Sequence, residues 1–157
     1  MVITQALRPA AVRTRRRNAV SLPPTTSALS SMPATLEAVP ALRRFACHTA
    51  LRWSVPPARR RALALVVSEL VTNAVLHSGS PDITVLITYR GAELTVEVKD
   101  SGRWKAREVP RRMPEDAGAA FGRGLDLVAR VTDGWLAFLS PAGTRVVATV
   151  AADPDRA

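Results

Sequence analysis

The stretch Arg61–His77, RALALVVSELVTNAVLH, decides how the rest of this sequence is read. At 3.6 residues per turn it puts Leu63, Val66, Val67, Leu70, Val71, Ala74 and Val75 on a broad apolar face, and Glu69, Asn73 and His77 four apart on a second, polar stripe. A carboxylate beside so much aliphatic surface must be hydrated, paired or bound to a cation, because a charge among hydrocarbons is costly. Hydration is the commoner case on an amphipathic helix. The stripe therefore gains meaning only from its surroundings.

Upstream, Leu36, Val39, Leu42, Phe45, Ala46, Thr49, Ala50 and Trp53 recur at helical spacing, started by Thr35 and Glu37 and stopped by Pro56 and Pro57. Pro40 falls in the first turn, where a missing N–H costs least. Residues 28–33 read as a short edge strand. Downstream of the central helix, which Gly79 and Pro81 close, the period changes to two. Ile83, Val85, Ile87 and Tyr89 alternate with Thr84, Leu86 and Thr88, Arg90-Gly91 turns the chain, and Leu94, Val96 and Val98 alternate with Glu93, Thr95, Glu97 and Lys99. That is a hairpin with one face packed on helices. Residues 103–121 lose all periodicity, as a loop that lids a site does. A helix of about three turns is predicted after Gly122-Arg123-Gly124, followed by two strands, Trp135–Ser140 and Thr144–Ala151, joined at Pro141-Ala142-Gly143.

The chain has 157 residues, 47% of them hydrophobic but only 4% aromatic, which implies one domain with an aliphatic core. A single cysteine, Cys47, cannot make an internal disulfide, and neither His48 nor His77 has partners at zinc-ligand spacing. No apolar run approaches the roughly 20 residues that span a bilayer. A secretory leader is not expected, since Arg8 and the Arg13–Arg17 cluster interrupt the first apolar residues. The expectation is a cytoplasmic protein without a membrane partner.

The net charge of +9 invites a nucleic-acid reading, yet residues 1–36 hold five arginines and no acid, leaving only +4 for the remainder. Direct nucleic-acid binding by the folded part is accordingly not expected. A DNA-associated regulator using the arginine-rich arm stays a third reading. The domain division is a disordered tail over 1–27, a folded unit over 28–152 and a C-terminal tail over 153–157.

Three pieces stand in order: a helix with Glu69 and Asn73, a strand ending in Asp100-Ser101-Gly102, and a glycine pair opening a helix. Each alone is weak. Together they meet the needs of a nucleotide site. Gly122 and Gly124 leave backbone N–H groups and a helix N-terminus free for phosphates, Asp100 offers a carboxylate to an exocyclic amine, Gly102 leaves room beside a purine, and Asn73 supplies a hard oxygen for Mg²⁺.

The segments ELVTNAVLH (69–77), DSG (100–102) and GRGLDLV (122–128) resemble the N, G1 and G2 boxes of the GHKL ATPase superfamily, and most closely its small anti-sigma-factor serine/threonine kinases of actinobacterial type. The resemblance runs from about residue 34 to 152. It implies an α+β Bergerat fold, a two-layer sandwich whose mixed, mostly antiparallel sheet is covered by helices on one face, with ATP under a lid loop. It makes Glu69 the general base, Asn73 the Mg²⁺ ligand and Asp100 the adenine-reading acid, with Gly102, Gly122, Gly124 and Leu125 forming pocket and phosphate loop. His77 ends the N box and Arg123 lies between the phosphate-loop glycines. One departure is Trp104, where the fuller G1 pattern has a second glycine. The implied partners are a sigma factor and a STAS-type anti-anti-sigma protein, with Arg43 and Arg44 as docking residues and a homodimer as a family expectation. The competing reading is a non-catalytic ATP-binding module that shapes a partner surface.

Overall fold

A computed structural model describes residues 23–102 and 122–152. The expected lid, Trp104 within it, the tail before residue 23 and the C-terminal residues 153–157 lie outside that range. Eight elements follow one another: β1 (Thr25–Pro33), α1 (Ala38–Arg52), α2 (Pro57–His77), β2 (Asp82–Arg90), β3 (Glu93–Asp100), α3 (Gly122–Val131), β4 (Thr132–Ser140) and β5 (Gly143–Val150). The five strands form one sheet in the order β1-β2-β3-β5-β4. Every described pairing is antiparallel, so the expected mixed sheet is here antiparallel throughout. Two tight hairpins, β2–β3 and β4–β5, dictate two of the four pairings, because a short turn can only reverse a strand.

The helices lie against one face of the sheet. From α2 come Ala62, Leu63, Val66, Val67, Leu70, Val71 and Ala74, from α1 Ala38, Leu42, Ala46 and Ala50, and from the strands Val85, Ile87, Leu94, Val96, Ala148 and Val150, all buried in one aliphatic core. Each large aliphatic side chain fully removed from water contributes roughly 1.5–3 kcal/mol, so the core needs no aromatic stack. The outward-pointing positions of the same strands are half-buried or exposed. The alternation seen in the sequence is thus the two faces of the sheet.

Two boundaries differ from expectation. β1 begins at Thr25, inside the segment expected to be a tail, because tertiary pairing to β2 holds it. Ser27 Oγ and Thr88 Oγ1 lie 3.2 Å apart across that pair. β4 starts at Thr132 rather than Trp135, directly after α3, with an irregularity between Thr132 and Gly134. The strand bulges there.

Arg59 occupies the first turns of α2 and is only 5% exposed. Its Nη1 donates to the Ala92 carbonyl at 2.7 Å and its Nη2 to the Val150 carbonyl at 3.2 Å, and its guanidinium lies 5.9 Å from the Tyr89 ring centroid. One cation thereby ties α2 to the β2–β3 turn and to the end of β5. Charge-assisted hydrogen bonds contribute more than neutral ones, and their loss would strand two carbonyls. Arg59→Ala is expected to destabilise the domain by about 3 kcal/mol, measured as a lower denaturant midpoint with an unchanged slope.

Candidate functional site

The end of α2 and the end of β3 are stitched together by serines. Ser78 Oγ donates to the Ala74 carbonyl at 2.6 Å and accepts the Ser80 N–H at 3.0 Å. Ser80 Oγ donates to the Asp82 carbonyl at 2.6 Å, accepts the Ser101 N–H at 2.9 Å and lies 3.1 Å from Ser101 Oγ. Ser78 and Ser80 are buried. Hydrogen-bonding capacity that would be costly if idle is therefore spent on joining the helix to the strand.

Gly102 completes the junction. A Cβ there would overlap the Ser78 carbonyl and crowd the Ser80 nitrogen, so no other residue lets these two backbones approach. The Gly102 N–H donates to Asp100 Oδ1 at 3.0 Å, which fixes the rotamer of a carboxylate that is only 4% exposed. Asp100 pairs across the sheet with Thr144, itself buried at 5% exposure. Antiparallel partners project to the same face, so an acid and a hydroxyl stand side by side on the helix-covered side of the sheet.

One turn in from the end of α2, Asn73 is half-buried, and its Nδ2 is buried without a hydrogen-bond partner. Such an orphan is costly unless something else meets it. Asn73 lines a pocket with Leu70 of α2, Leu125 of α3, Trp135, Ala137 and Leu139 of β4, and Thr144 and Val146 of β5. A further turn back, the Glu69 carboxylate packs against Gly124, so closely that a Cβ at 124 would overlap Glu69 Oε2. A carboxylate at the first turn of α3 faces the positive end of that helix, where an anion is stabilised.

The structure brings Glu69 to Gly124, sets Asn73 and Leu125 on one pocket, and holds Asp100 against Gly102 and across the sheet from the pocket residue Thr144. Gly122 opens α3 as expected, while the Arg123 side chain lies outside the described residues. His77 sits exposed on the last turn of α2 and does not line the pocket. Thr144, Trp135 and Leu139 were not singled out in sequence. Thr144 follows a turn glycine in an ordinary strand pattern, and only the β3–β5 register reveals it as the neighbour of Asp100. No cluster of three or more His, Cys, Asp and Glu suited to a metal occurs among the described residues, and no described helix is long and apolar enough to cross a membrane.

This fold, with a carboxylate-and-carboxamide helix facing a glycine-opened helix across a cleft, defines a class of nucleotide-handling domain. The chain belongs to the histidine kinase-like ATPase domain family, whose model matches residues 32–150. Membership implies ATP binding. Among solved structures, the chain is similar in fold to the crystal structure of the RsbU and RsbW domains of Rv1364c from Mycobacterium tuberculosis, with a TM-score of 0.62 and 18% sequence identity. That likeness covers 81% of this chain and 32% of the other, so the chain spans about a third of that protein's length. No curated protein matches the chain.

The two close-packed glycines respond differently to substitution. Gly102→Ala drives a methyl into backbone that cannot swing away and is expected to cost about 3 kcal/mol. Gly124→Ala meets only the flexible end of Glu69 and gains helix propensity of up to about 1 kcal/mol, so its net effect on stability stays small. Parallel denaturant unfolding of the two variants checks the order; equal destabilisation would show that one of these close approaches is misplaced.

Proposed function

We propose that the protein is an ATP-dependent serine/threonine kinase of the anti-sigma type, which phosphorylates a STAS-type anti-anti-sigma partner and sequesters a sigma factor. The observation that carries the nucleotide half of this reading is the partnerless, buried amide of Asn73, beside a cleft bounded by Leu125 and Thr144. A carboxamide with nothing to bond inside the protein fits a ligand, and its Oδ1 is a hard donor of the kind Mg²⁺ takes. Mg²⁺, when bound, neutralises charge on the phosphates.

The chain's own residues divide the remaining work. Asp100, with its rotamer held by the Gly102 N–H, accepts a hydrogen bond from the exocyclic amine of adenine. Leu70 and Leu125 give the base apolar walls. The start of α3 at Gly122 and Gly124 turns backbone N–H groups toward phosphate, with Arg123 between them as a second cationic contact. Glu69 accepts the proton of the partner's serine hydroxyl while that oxygen forms a bond to the γ-phosphorus, the bond from γ-phosphorus to the β–γ bridging oxygen breaks, and ADP leaves. The basic, exposed Arg43 and Arg44 of α1 offer the partner a docking face. His77, exposed at the rim of the helix end, has no part in this scheme.

Calorimetric titration with Mg-ATP tests the reading. Wild-type protein is expected to bind, Asn73→Ala to lose about 100-fold or more in affinity, and Asp100→Asn to lose roughly tenfold through the adenine contact. Glu69→Ala is expected to bind within a few-fold of wild type while phosphotransfer to a STAS-type protein falls by about 10²–10⁴. Binding without transfer in the wild-type chain would replace the kinase with an ATP-dependent binding module. Wild-type affinity in Asn73→Ala would remove the metal assignment.

A further inference from the structure

The inner face of β4 alternates large and small. Trp135, Ala137 and Leu139 stand across from Ala148, Val146 and Thr144 of β5, and antiparallel partners project to the same face, here the one the helices cover. Successive side chains on one face of a strand are about 6.8 Å apart, so the order large, small, large leaves a slot above Ala137. All three residues line the pocket that also holds Asn73, Leu70 and Leu125. Leu139 is 62% exposed although it lies on the helix-covered side, which leaves one wall of the slot in water.

The other wall is a tryptophan, in a domain whose largest fully buried side chains are all leucine, isoleucine or valine among the described residues. The indole is half-buried, packing on the core and also lining the pocket. An aromatic ring at a pocket wall offers a flat ligand a stacking contact that aliphatic filling does not. The register adds a polar end to the slot. Leu139 lies in one row with Thr144 and Asp100, so the pocket runs from an indole toward a hydroxyl and a carboxylate. A flat group with an apolar face and an amine on its rim matches both ends, and adenine is such a group.

We infer that Trp135 is the residue on which the base of the nucleotide stacks, with Ala137 as the floor of the slot and Leu139 as its outer wall, and that this stack sets a preference for purines. The inference rests on the nucleotide reading and adds to it the group that selects the base. Leu70 and Leu125 reach the base from the helices, and β4 supplies the wall that faces them. Stacking grows with ring overlap, so a two-ring purine gains more on an indole than a pyrimidine does. Cytosine, like adenine, carries an exocyclic amine for Asp100. ATP and CTP therefore differ here chiefly in ring area, and the ratio of their affinities reads Trp135 apart from Asp100.

Calorimetry of the full chain with Mg-ATP and with Mg-CTP tests this. The wild-type chain is expected to bind ATP about tenfold or more tightly than CTP. Trp135→Ala is expected to weaken ATP binding about 30-fold and to bring the two nucleotides within about threefold of each other, while Trp135→Phe keeps ATP within about threefold of wild type. Ala137→Leu fills the slot and is expected to lower ATP affinity by at least as much as Trp135→Ala. In the Trp53→Phe/Trp104→Phe variant the remaining indole fluorescence is that of Trp135, and it is expected to change on addition of Mg-ATP. Circular dichroism confirms that each variant is folded. ATP binding unchanged in both Trp135→Ala and Ala137→Leu overturns the inference, as does an equal loss for ATP and CTP, which marks a structural role, or a Trp135 fluorescence indifferent to Mg-ATP. In each of those cases wild-type binding of Mg-ATP leaves the nucleotide reading standing, whereas a wild-type chain that binds neither nucleotide overturns both.

Discussion

The structure depends on one close approach: the backbone of Gly102 against the carbonyl of Ser78, where the strand carrying Asp100 runs past the end of the helix carrying Asn73. Helix and strand come from different parts of the chain and have no covalent reason to stay in register. The aliphatic core holds the layers together, but hydrophobic attraction is non-directional and tolerates sliding. Direction comes from the seam, where Ser78, Ser80 and Ser101 exchange hydrogen bonds of 2.6–3.1 Å. Each is modest alone. Linked in one chain they are cooperative, and a slip that broke one would leave others unsatisfied.

That seam explains why polar groups are tolerated so near the core. Asp100 is almost fully enclosed, yet its carboxylate takes the Gly102 N–H and stands beside Thr144. Arg59, equally enclosed at the other end of α2, spends its guanidinium on two carbonyls from separate elements. The two ends of α2 are thus pinned by directional bonds and its middle by aliphatic packing. Asn73 is placed by the same helix, and its buried Nδ2 is bonded to nothing. Among the described residues the other buried side-chain nitrogens without a partner are the Nε atoms of Arg59 and Arg60 at the start of α2, whereas Asn73 Nδ2 lies beside the pocket, where a group from outside can meet it.

Much of this was legible in the sequence because the elements have clean periods. α2 is where its apolar face and polar stripe place it, and the β2–β3 hairpin follows its alternation. Glu69, Asn73, Asp100 and Gly124 could be picked out because each breaks a pattern: polar on a greasy helix, acidic at a strand end, glycine at a helix start. Thr144 and Trp135 break none, since a threonine and an aromatic belong in strands. Their place beside Asp100 and Asn73 follows from the crossover that sets β5 next to β3, a long-range pairing that no local window contains. The early start of β1 was hidden likewise. Thr25–Ser27 have no apolar alternation, and β2 supplies their order.

The distribution of charge separates the molecule's surfaces by what each can accept. The exposed residues of α1 include Arg43, Arg44 and Arg52, while the sheet side mixes Glu97, Arg145, Lys99, Glu93 and Arg90 among leucines and threonines. A one-signed surface attracts an acidic partner from a distance and rejects its own kind. A surface of mixed sign has no such reach. The pocket beside Asn73 is lined from α2, α3, β4 and β5 on the helix-covered side, so the outward-facing rows of the sheet lie on the opposite face from it.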